Sequence, residues 1–560
     1  MKKVHVQDPI DLEIKWQRLI AIMDEIDNAT IKTAFSTIVS DSHDFACILL
    51  DSNGNSICQS SFSPPDFCVI IPSTARKIIN KIGKENINNG DVLVTNDPWI
   101  AAGHLPDYAI LTPIFFKNKL IGFIGTIAHL ADVGGHNGDI IANDVYTEGL
   151  CIPPSKLVKK SLQNNFLFNI ISNNTRVPDL VIGDLRAIIG THKLGKNRIE
   201  EFFNDYKLNN FIKLSNVIRG NSEELLRNKI YKLKNGVYKY NLNIDGYFDI
   251  VTLNVSIMIS DYDIYVDYTG SSTQTHKASI NCVYNVTHSS TMYPFKCALA
   301  PNIPNNTGLF KPIHVFAPKG SILNTTFPHP VQARAKTTNN INQVIFGALS
   351  DVFGEYSQAG SGSIWPFSVF GTDDSDNTFS CHILPHGGRG AMKNMDGLLP
   401  IAFPHNSVVT PIEIMELKSP VIFEMKKLIP NSGGPGKYRG GLSQQINIKN
   451  ISDKTIKARI RPDKIVCEPK GLNNGLPGIR GKVIYNGHEI REFPIFDFKP
   501  NDKIELILPG GAGHGNPKDR SKKDINKDLE LGYITEDHCE SYYHYLYILA
   551  LALKIMKYLR

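Results

Sequence analysis

Two apolar runs, residues 108–116 and 120–129, constrain the fold of this chain more than any other stretch. Both have the β-branched and aromatic composition of strands, and a polar tripeptide at 117–119 separates them. Such a short polar connection predicts a β-hairpin with a three-residue loop. Pro113 in the first run indicates that this strand lies at a sheet edge or contains a bulge.

The predicted register gathers polar residues at the open end of this hairpin. Phe116 pairs with Leu120 across the loop. Counting back from that pair places Asp107 opposite His129, and directly opposed side chains project from one face with Cβ atoms about 5 Å apart. His104 lies in the loop that leads into the first strand. Two imidazoles and a carboxylate with open coordination positions suit Zn, Mn or Fe and can activate water, so the sequence predicts a divalent metal site here.

Three other polar residues extend this set or compete with it. Asp44 stands at the head of another predicted hairpin, as a further ligand or as an ordinary turn residue. Asp132 and His136 are rival ligands in the loop after the second strand, where Gly134-Gly135 permits backbone turns that other residues resist. Each of the three alone is more often a cap, a turn former or a solvated group. A slip of one residue in the register would also separate the paired side chains onto opposite faces.

The length and composition indicate a large globular protein. The chain has 560 residues, more than one hydrophobic core usually holds, so several layers or domains are expected. Hydrophobic residues make up 42% and charged residues 20%, which is typical of soluble globular chains. The 60 basic and 54 acidic residues are interspersed, and no basic stripe alternates with aromatics. The sequence therefore argues against nucleic-acid binding.

Cysteine usage and the two ends of the sequence predict a cytoplasmic protein that does not enter a membrane. The nine cysteines are scattered without a CxxC pair, and their odd number favours free thiols in a reducing compartment. Residues 1–16 lack the apolar core of a signal peptide. The apolar run at 545–556 is too short to span a bilayer. It predicts a terminal helix that packs on the body of the protein or on a partner.

Hydrophobic periodicity predicts an α+β fold with several layers, mixed and antiparallel sheets, and helical segments. Helical spacing runs through residues 11–36 and most of 155–233. From Tyr238 the period changes to two, which predicts an antiparallel meander and a boundary near residue 235. Shorter helices are predicted at 72–82, 282–299 and 335–353.

These patterns divide the chain into four predicted units. The first, residues 1–235, is an α+β domain that carries the metal site. Residues 236–345 form a meander and a helix, residues 346–540 a glycine-rich region, and residues 541–560 an apolar C-terminal helix.

Three glycine-rich loops, at 387–390, 432–441 and 508–515, are either anion-binding loops or plain turns. None has the spacing of a phosphate-binding P-loop, and none lies in the strand–loop–helix frame of a dinucleotide site. The sequence therefore predicts no nucleotide-binding site in this chain, and any nucleotide that the chemistry needs is bound by another polypeptide. The chain also lacks a GxSxG elbow and a cysteine that stands out as a nucleophile.

Several motifs, in one order along the chain, are similar to those of a known family. They are Asn96-Asp97-Pro98, Gly103-His104-Leu105-Pro106-Asp107, the AHLADVGG stretch that begins at Ala128, Glu148-Gly149-Leu150, Ile152-Pro153-Pro154, Asp267-Tyr268-Thr269-Gly270, Pro411-Ile412-Glu413, and the glycine-rich loops that begin at Ser432 and Leu508. With them the chain resembles the hydantoinase B/oxoprolinase family from about residue 8 to about residue 537. That family includes the B-type subunits of N-methylhydantoinase-type enzymes, the C-terminal half of 5-oxoprolinase, and the corresponding subunits of acetone and acetophenone carboxylases.

The resemblance implies a heteromeric enzyme. An A-type subunit of actin-like ATPase fold (hydantoinase A family) binds ATP and Mg²⁺ and phosphorylates a substrate oxygen. This activates a cyclic amide or, in the carboxylases, a ketone and bicarbonate. The B-type subunit carries a divalent metal, expected here to be Mn, Zn or Fe. By resemblance its ligands are His104, Asp107 and His129, with Asp44 as a fourth.

This chemistry gives expected roles to three more residues. A metal-activated water would attack the phosphorylated amide carbon, and Asp132 or His136 would move the proton as general base. Arg334 would steady an anionic group of the substrate, or else form a surface ion pair.

Three functions remain open on sequence grounds. The preferred one is the B-type subunit of an ATP-dependent cyclic-amide hydrolase, because the length suits it and no carboxylase-specific insertion is visible. The second is the corresponding subunit of an ATP-dependent ketone carboxylase. The third is a scaffold subunit without metal chemistry, against which the predicted ligand set argues.

Overall fold

Three large hydrophobic cores follow one another along the chain in the computed structural model, which describes residues 8–136, 141–404, 411–491 and 494–544. Helices pack against antiparallel or mixed sheets in these cores. The predicted α+β class is therefore confirmed. The boundaries of the four predicted units stay predictions.

The first core packs helices against a seven-stranded antiparallel sheet. Its elements are α1 (Pro9–Thr33), α2 (Thr37–Ser40), β1 (Phe45–Asp51), β2 (Ser56–Gln59), α3 (Pro65–Ile82), β3 (Val92–Thr95), β4 (Asp107–Phe116), β5 (Lys119–His129), β6 (Ser155–Lys159), β7 (Leu162–Gln163), α4 (Asn165–Asn173), α5 (Pro178–Asp205) and α6 (Ile212–Ile230). The strand order is β2-β1-β5-β4-β3-β6-β7, so the predicted hairpin β4–β5 lies in the middle of the sheet.

The hairpin has the predicted register at its open end but not the predicted loop. Lys117 and Asn118 alone connect the strands, with φ angles of 47° and 61°, as a two-residue turn that continues the strand twist requires. A bulge beside Ile114 then adds one residue to β5 and restores the register. Asp107 consequently pairs with His129, as predicted, although the three-residue loop was wrong.

Pro113 lies in a central strand rather than at an edge, and the bulge predicted as its alternative follows it by one residue. On the other side of β4, β3 pairs only with residues 109–111. Within the described residues, no strand therefore pairs with β4 on that side at Pro113. The missing N–H of the proline is tolerated there because it would have no strand partner.

The second core contains the predicted meander. Its elements are β8 (Gly236–Asp245), β9 (Ile250–Ser260), β10 (Asp263–Asp267), α7 (Tyr284–Leu299), β11 (Ile313–Phe316), α8 (Ala335–Thr338), α9 (Ile341–Ala348) and α10 (Ser350–Phe353). The sheet order is β11-β10-β9-β8, with β10 and β11 parallel and the other pairs antiparallel.

The third core packs two smaller sheets against each other. Its elements are β12 (Phe367–Thr372), β13 (Thr378–Ile383), α11 (Ile412–Lys418), β14 (Val421–Ile429), β15 (Ser443–Asn450), β16 (Ile456–Ile460), β17 (Lys482–Tyr485), β18 (His488–Ile490), β19 (Phe496–Phe498) and β20 (Lys503–Ile507), followed by α12 (Lys522–Glu530) and α13 (Glu536–Tyr543). The strand orders are β13-β12-β16-β19 and β14-β15-β20-β17-β18. The hairpin β12–β13 faces the first core and completes the site described below.

Two predicted helices differ in extent from those in the structure. The helix predicted at 72–82 begins at Pro65, so Pro72 lies inside α3 rather than in its first turn. The single helix predicted at 335–353 is divided into α8, α9 and α10. At the first break, the Asn340 side chain donates to the carbonyl of Lys336 and accepts from Nζ of Lys464. Such side-chain hydrogen bonds compete with regular helix.

The sequence also predicted free cysteines, the absence of a membrane span and two helical segments. All nine cysteines lie in the described residues, and all are free thiols. Among the described helices, none combines the length and apolar character that a membrane crossing requires. The segment predicted as helical at 155–233 begins instead with the β6–β7 hairpin. The predicted apolar helix at 545–556 lies outside the described residues.

Candidate metal centre

Three side chains converge at the open end of the β4–β5 hairpin. Asp107 begins β4 and pairs with His129 at the end of β5, while His104 lies three residues earlier in the loop. One ligand atom from each of the three residues lies within 4.8 Å of the others. Oδ1 of Asp107 is 2.8 Å from Nε2 of His104 and 3.4 Å from Nδ1 of His129. The structure therefore brings together the three ligands that the register predicts.

The hydrogen bonds of His104 direct a lone pair toward Asp107. Nδ1 of His104 lies 3.1 Å from the carbonyl oxygen of Gln332, which can only accept, so Nδ1 carries the ring proton. Burial and Arg334 lower the pKa of His104 to about 4 against the opposing effect of Asp107, so the ring is neutral near pH 7. Its bare Nε2 therefore faces Oδ1 of Asp107, a buried oxygen that accepts no hydrogen bond within the described residues. Two lone pairs that face each other this closely fit a bound cation.

Arg334 holds the other oxygen of Asp107. Its Nη2 donates to Oδ2 at 2.7 Å, and its Nε donates to the carbonyl of Ala102 at 2.6 Å. Burial alone would raise the pKa of Asp107, but His104 and Arg334 lower it well below its ordinary value. Gly103, at φ 86°, permits this approach, because a Cβ there would lie 2.9 Å from Cδ of Arg334. Arg334 therefore positions a charged Asp107, and its contact with a substrate stays a prediction.

Asn96 ties the loop that carries His104 to the segment after β5. Its Nδ2 donates to the carbonyls of Leu105 and Leu150, at 2.8 Å each, and its Oδ1 accepts from the N–H of Ile152 at 2.6 Å. The buried Asn96 amide thus satisfies three backbone groups at once and fixes the ligand loop.

Glu148 braces the ligands from a second direction. Its Oε1 accepts from the N–H groups of Val331 and Gln332, at 2.7 and 2.8 Å. Because the carbonyl of Gln332 accepts from His104, Glu148 fixes the orientation of that ring indirectly. Oε2 has no hydrogen-bond partner among the described residues, and burial raises the pKa of Glu148 to about 8. Glu148 is therefore a protonated, neutral side chain at pH 7.

Replacing Glu148 with glutamine is expected to flatten the pH dependence of stability. The unfolded chain releases this proton near pH 4.5, but the folded chain keeps it up to about pH 8. This carboxyl therefore lowers the free energy of unfolding by about 1.4 kcal/mol per pH unit as pH rises between these values. Urea titrations of both proteins at several pH values measure the difference. Equal pH slopes for the two proteins would show that Glu148 is ionised in the fold.

The three ligands open into a cavity of about 450 Å³, a size that suits a small molecule. The near wall comes from α2, the end of β5 and the loop around Arg334. The far wall comes from β12, β13 and residues 459–463 of the third core. Arg459 and Arg461 give that wall positive charge. The cavity is thus enclosed by segments that are distant in the sequence.

A hydrogen-bonded chain on the far wall holds His382. Nη2 of Arg459 donates to Oγ of Ser368 at 2.8 Å, and this oxygen lies 2.7 Å from Nδ1 of His382. The two hydrogen bonds orient the His382 ring on this wall. Burial, with smaller effects of Arg459 and His129, lowers the pKa of His382 well below its ordinary value. His382 lines the cavity as a neutral imidazole.

Of the other predicted site residues, Asp44 lies at the cavity, whereas Asp132 and His136 lie away from it. Asp44 lines the cavity, and its Oδ2 lies 3.6 Å from Nδ1 of His129. Asp132 lies outside this cavity, where Oδ1 accepts from Nη1 of Arg176 at 3.0 Å and Oδ2 from its backbone N–H at 2.6 Å. His136 is exposed and does not line the cavity either. The structure therefore brings Asp44 to the ligands, but not Asp132 or His136.

Three residues of the far wall, His382, Ser368 and Arg459, were not predicted from the sequence. The sequence did contain one signal for them, the alternation of apolar and polar residues in β12 and β13. This alternation predicts a hairpin in which Ser368 lies opposite His382. No feature of the sequence shows that this hairpin faces the metal ligands. That placement depends on packing between the first and third cores.

The sequence pattern of the hydantoinase B/oxoprolinase family matches residues 8–517. The chain belongs to this family. It is 30% identical over 569 positions to a putative D-/L-hydantoinase B-type subunit of Pseudomonas sp. (strain NS671), with 96% of this chain and 95% of that relative covered. The family resemblance predicted from the sequence motifs is therefore confirmed.

Two solved structures share the fold of this family member. Nucleotide-free acetone carboxylase superimposes with a TM-score of 0.90 at 19% identity, covering 96% of this chain and 79% of that one. The ATP-dependent caprolactamase of Pseudomonas jessenii superimposes with a TM-score of 0.87 at 22% identity, covering 96% of both chains. The fold is thus common to proteins named for carboxylation and for lactam cleavage.

Proposed function

We propose that this member of the hydantoinase B/oxoprolinase family is the metal-bearing B-type subunit of an ATP-dependent cyclic-amide hydrolase. The observation that carries the proposal is the set of inward-facing ligand atoms of His104, Asp107 and His129. The reaction class is supported by the similarity to a putative hydantoinase and by the fold shared with a caprolactamase.

The three residues would hold a divalent Zn, Mn or Fe ion, with Asp44 as a further ligand. Two imidazoles and a carboxylate are a donor set that these ions accept. When bound, such an ion supplies Lewis acidity to a water or a substrate oxygen. Arg334 keeps Asp107 ionised and turns Oδ1 toward the ligand cluster by holding Oδ2. Gln332 keeps Nε2 of His104 unprotonated, which is the form that binds metal.

The cavity walls would bind and orient the substrate. The 450 Å³ volume accommodates a cyclic amide of small-molecule size. Phosphorylation of the amide oxygen adds negative charge, which the positive charge of Arg459 and Arg461 on the far wall complements. His382, which the Arg459–Ser368 chain holds on the same wall, would form a hydrogen bond to a polar atom of the substrate.

The phosphorylation itself is assigned to a partner. The glycine-rich loops lack the spacing of a phosphate-binding P-loop or a dinucleotide site. An A-type ATPase subunit of the hydantoinase A family would therefore bind ATP and Mg²⁺ and phosphorylate the amide in a hetero-oligomeric complex with this chain.

The proposal is tested by reconstituting the chain with such an A-type subunit, ATP and Mg²⁺. A panel of hydantoins, 5-oxoproline and caprolactam is offered, and ring-opened product and ADP are measured. We expect ring opening that depends on ATP and on both subunits. In parallel, labelled bicarbonate is offered with small ketones, and its incorporation into product in place of ring opening would assign the chain to a ketone carboxylase. Ring opening by the A-type subunit alone would leave this chain the role of a scaffold.

A further inference from the structure

A second cavity, of about 870 Å³, lies between α3, α6, α7 and the loop at 306–311. It is separate from the cavity at the candidate metal centre, and among the described residues Ile70 alone lines both. The cavity lies where helices of the first core meet α7 and the loop of the second, a position in which ligand sites are often found.

Cations outnumber anions in the lining of this cavity. Arg76, Lys77, Arg219 and Lys311 contribute to it, and Glu223 is the one carboxylate that the described residues add to the lining. Glu223 is already neutralised, because Lys311 Nζ lies 2.7 Å from its Oε2 and Arg227 Nη2 lies 3.0 Å from its Oε1.

Arg76 and Lys77 are held by neutral groups. Nη1 of Arg76 donates to the carbonyl of Gly54 at 3.2 Å and to Oδ1 of Asn55 at 3.4 Å. Nζ of Lys77 donates to the carbonyl of Trp99 at 2.7 Å and to Oδ1 of Asn285 at 3.1 Å. Within the described residues, neither cation forms an ion pair. Both are thus positioned by neutral acceptors, and the carboxylates that act on them, Asp51 on Arg76 and Asp97 on Lys77, do so without a direct ion pair.

Asp51, the carboxylate that acts on both arginines, already accepts several other hydrogen bonds. Its Oδ1 accepts from the N–H groups of Asn53 and Asn55, at 2.9 and 3.0 Å. Its Oδ2 accepts from Oγ of Ser215 at 3.1 Å and lies 3.3 Å from Nη2 of Arg219. Of the two arginines, Arg219 is the one that lies within ion-pair distance of Asp51 in the described residues.

The like charges around Arg76 influence one another. Burial lowers the pKa of Arg76, Arg219 lowers it further, and Asp51 opposes both. Burial and Arg76 together lower the pKa of His288, another lining residue, to about 4. A partly buried cluster of this kind is stabilised by an anion that sits between its members.

We infer that this second cavity binds a small molecule through a phosphate or carboxylate group, held by Arg76, Lys77 and Arg219. A guanidinium presents its donors in a fork that matches both oxyanions, and lysine adds a point charge. The volume leaves room for the rest of a metabolite-sized molecule. The inference does not depend on the chemistry proposed for the metal centre.

Calorimetric titration of the full-length chain tests this inference, with pyrophosphate as the phosphate probe and citrate as the carboxylate probe. Titrations at about 0.15 M ionic strength screen out diffuse attraction to exposed charges. We expect saturable binding of at least one probe, and the probe that binds identifies the oxyanion class. Arg76→Gln and Lys77→Gln should each weaken this binding at least about 10-fold, the loss expected for one charged partner.

The matched control is Arg186→Gln, which removes an exposed arginine of α5 that does not line the cavity. It should leave the affinity unchanged. Thermal unfolding of each variant verifies its fold, and Arg76→Lys, which keeps the charge but loses the fork, serves if Arg76→Gln fails to fold. Absence of binding by both probes would overturn the inference. So would binding that is as tight in Lys77→Gln and the Arg76 variant as in the unaltered chain.

Discussion

Replacing His104 with alanine is expected to lower kcat of the reconstituted complex at least about 100-fold. Loss of a residue that only supports a metal ligand typically costs about 10–100-fold, and loss of a ligand itself costs no less. The change removes Nε2, one of the three converging ligand atoms, and frees the carbonyl of Gln332 that oriented it. Steady-state measurement of ring-opened product, with the A-type subunit and ATP in excess, gives the change in kcat.

Two further variants make this experiment specific. His488→Ala removes an exposed histidine of β18 in the third core and should leave kcat unchanged. Asp107→Asn keeps the shape of the side chain but removes the negative charge that pairs with Arg334. It should lower kcat as much as His104→Ala does. Near-normal kcat in His104→Ala would mean that the chain serves the complex as a scaffold.

Replacing Asp528 with alanine is expected to lower the free energy of unfolding by about 3–5 kcal/mol, the cost of leaving a buried charge without its partner. Arg439 donates to both oxygens of Asp528, at 3.0 and 3.3 Å, and Arg520 donates to one of them at 2.7 Å. The Asp528 side chain is 4% exposed. Without it, the guanidinium of Arg520 keeps the partly exposed Asp396 as a carboxylate partner, whereas Arg439 contacts Asp396 through its backbone N–H.

Urea titration followed by circular dichroism measures this loss, with Asp537→Ala as the control. Asp537 lies in the first turn of the neighbouring helix α13 and is exposed, so its loss should change stability by no more than about 0.5 kcal/mol. Asp528 joins α12 to the glycine-rich loop that contains Arg439. Equal stabilities of the two variants would show that this buried cluster does not anchor the C-terminal helices.

The convergence of the three predicted ligands was predictable because its geometry is local. His104 and Asp107 are three residues apart, and the register of one hairpin brings His129 beside them. The turn type was not predictable from the same residues, since Lys117-Asn118-Lys119 gives no glycine signal for a two-residue turn. The register survived that error because the bulge beside Ile114 compensates for the shorter loop.

The rest of the site depends on contacts between segments that are distant in the sequence. His382 and Arg459 reach the cavity only because the third core packs against the first. His192, in α5, is another example: it bridges Thr112 of β4 and Thr126 of β5, at 2.8 Å each, and supports the hairpin from behind. Periodicity predicts that α5 packs one face inward, but it does not identify the strands that this face meets.

The two residues considered as general base also show that sequence alone does not reveal which segments meet in the fold. Asp132 and His136 lie close to His129 along the chain, and that proximity was the reason to consider them. Arg176, two residues before α5, binds Asp132 outside the cavity. Proximity in the sequence therefore predicted the convergence of His104, Asp107 and His129, which a strand register fixes, better than it predicted the position of residues in an irregular loop.

Elemental analysis of the purified chain and of its His129→Ala variant tests the metal centre most directly. We expect near-stoichiometric Zn, Mn or Fe in the unaltered chain and its loss in the variant, because His129 supplies one of the three ligand atoms. The same metal content in both proteins, or no metal in the unaltered chain after incubation with each of the three ions, would contradict the assignment of these ligands.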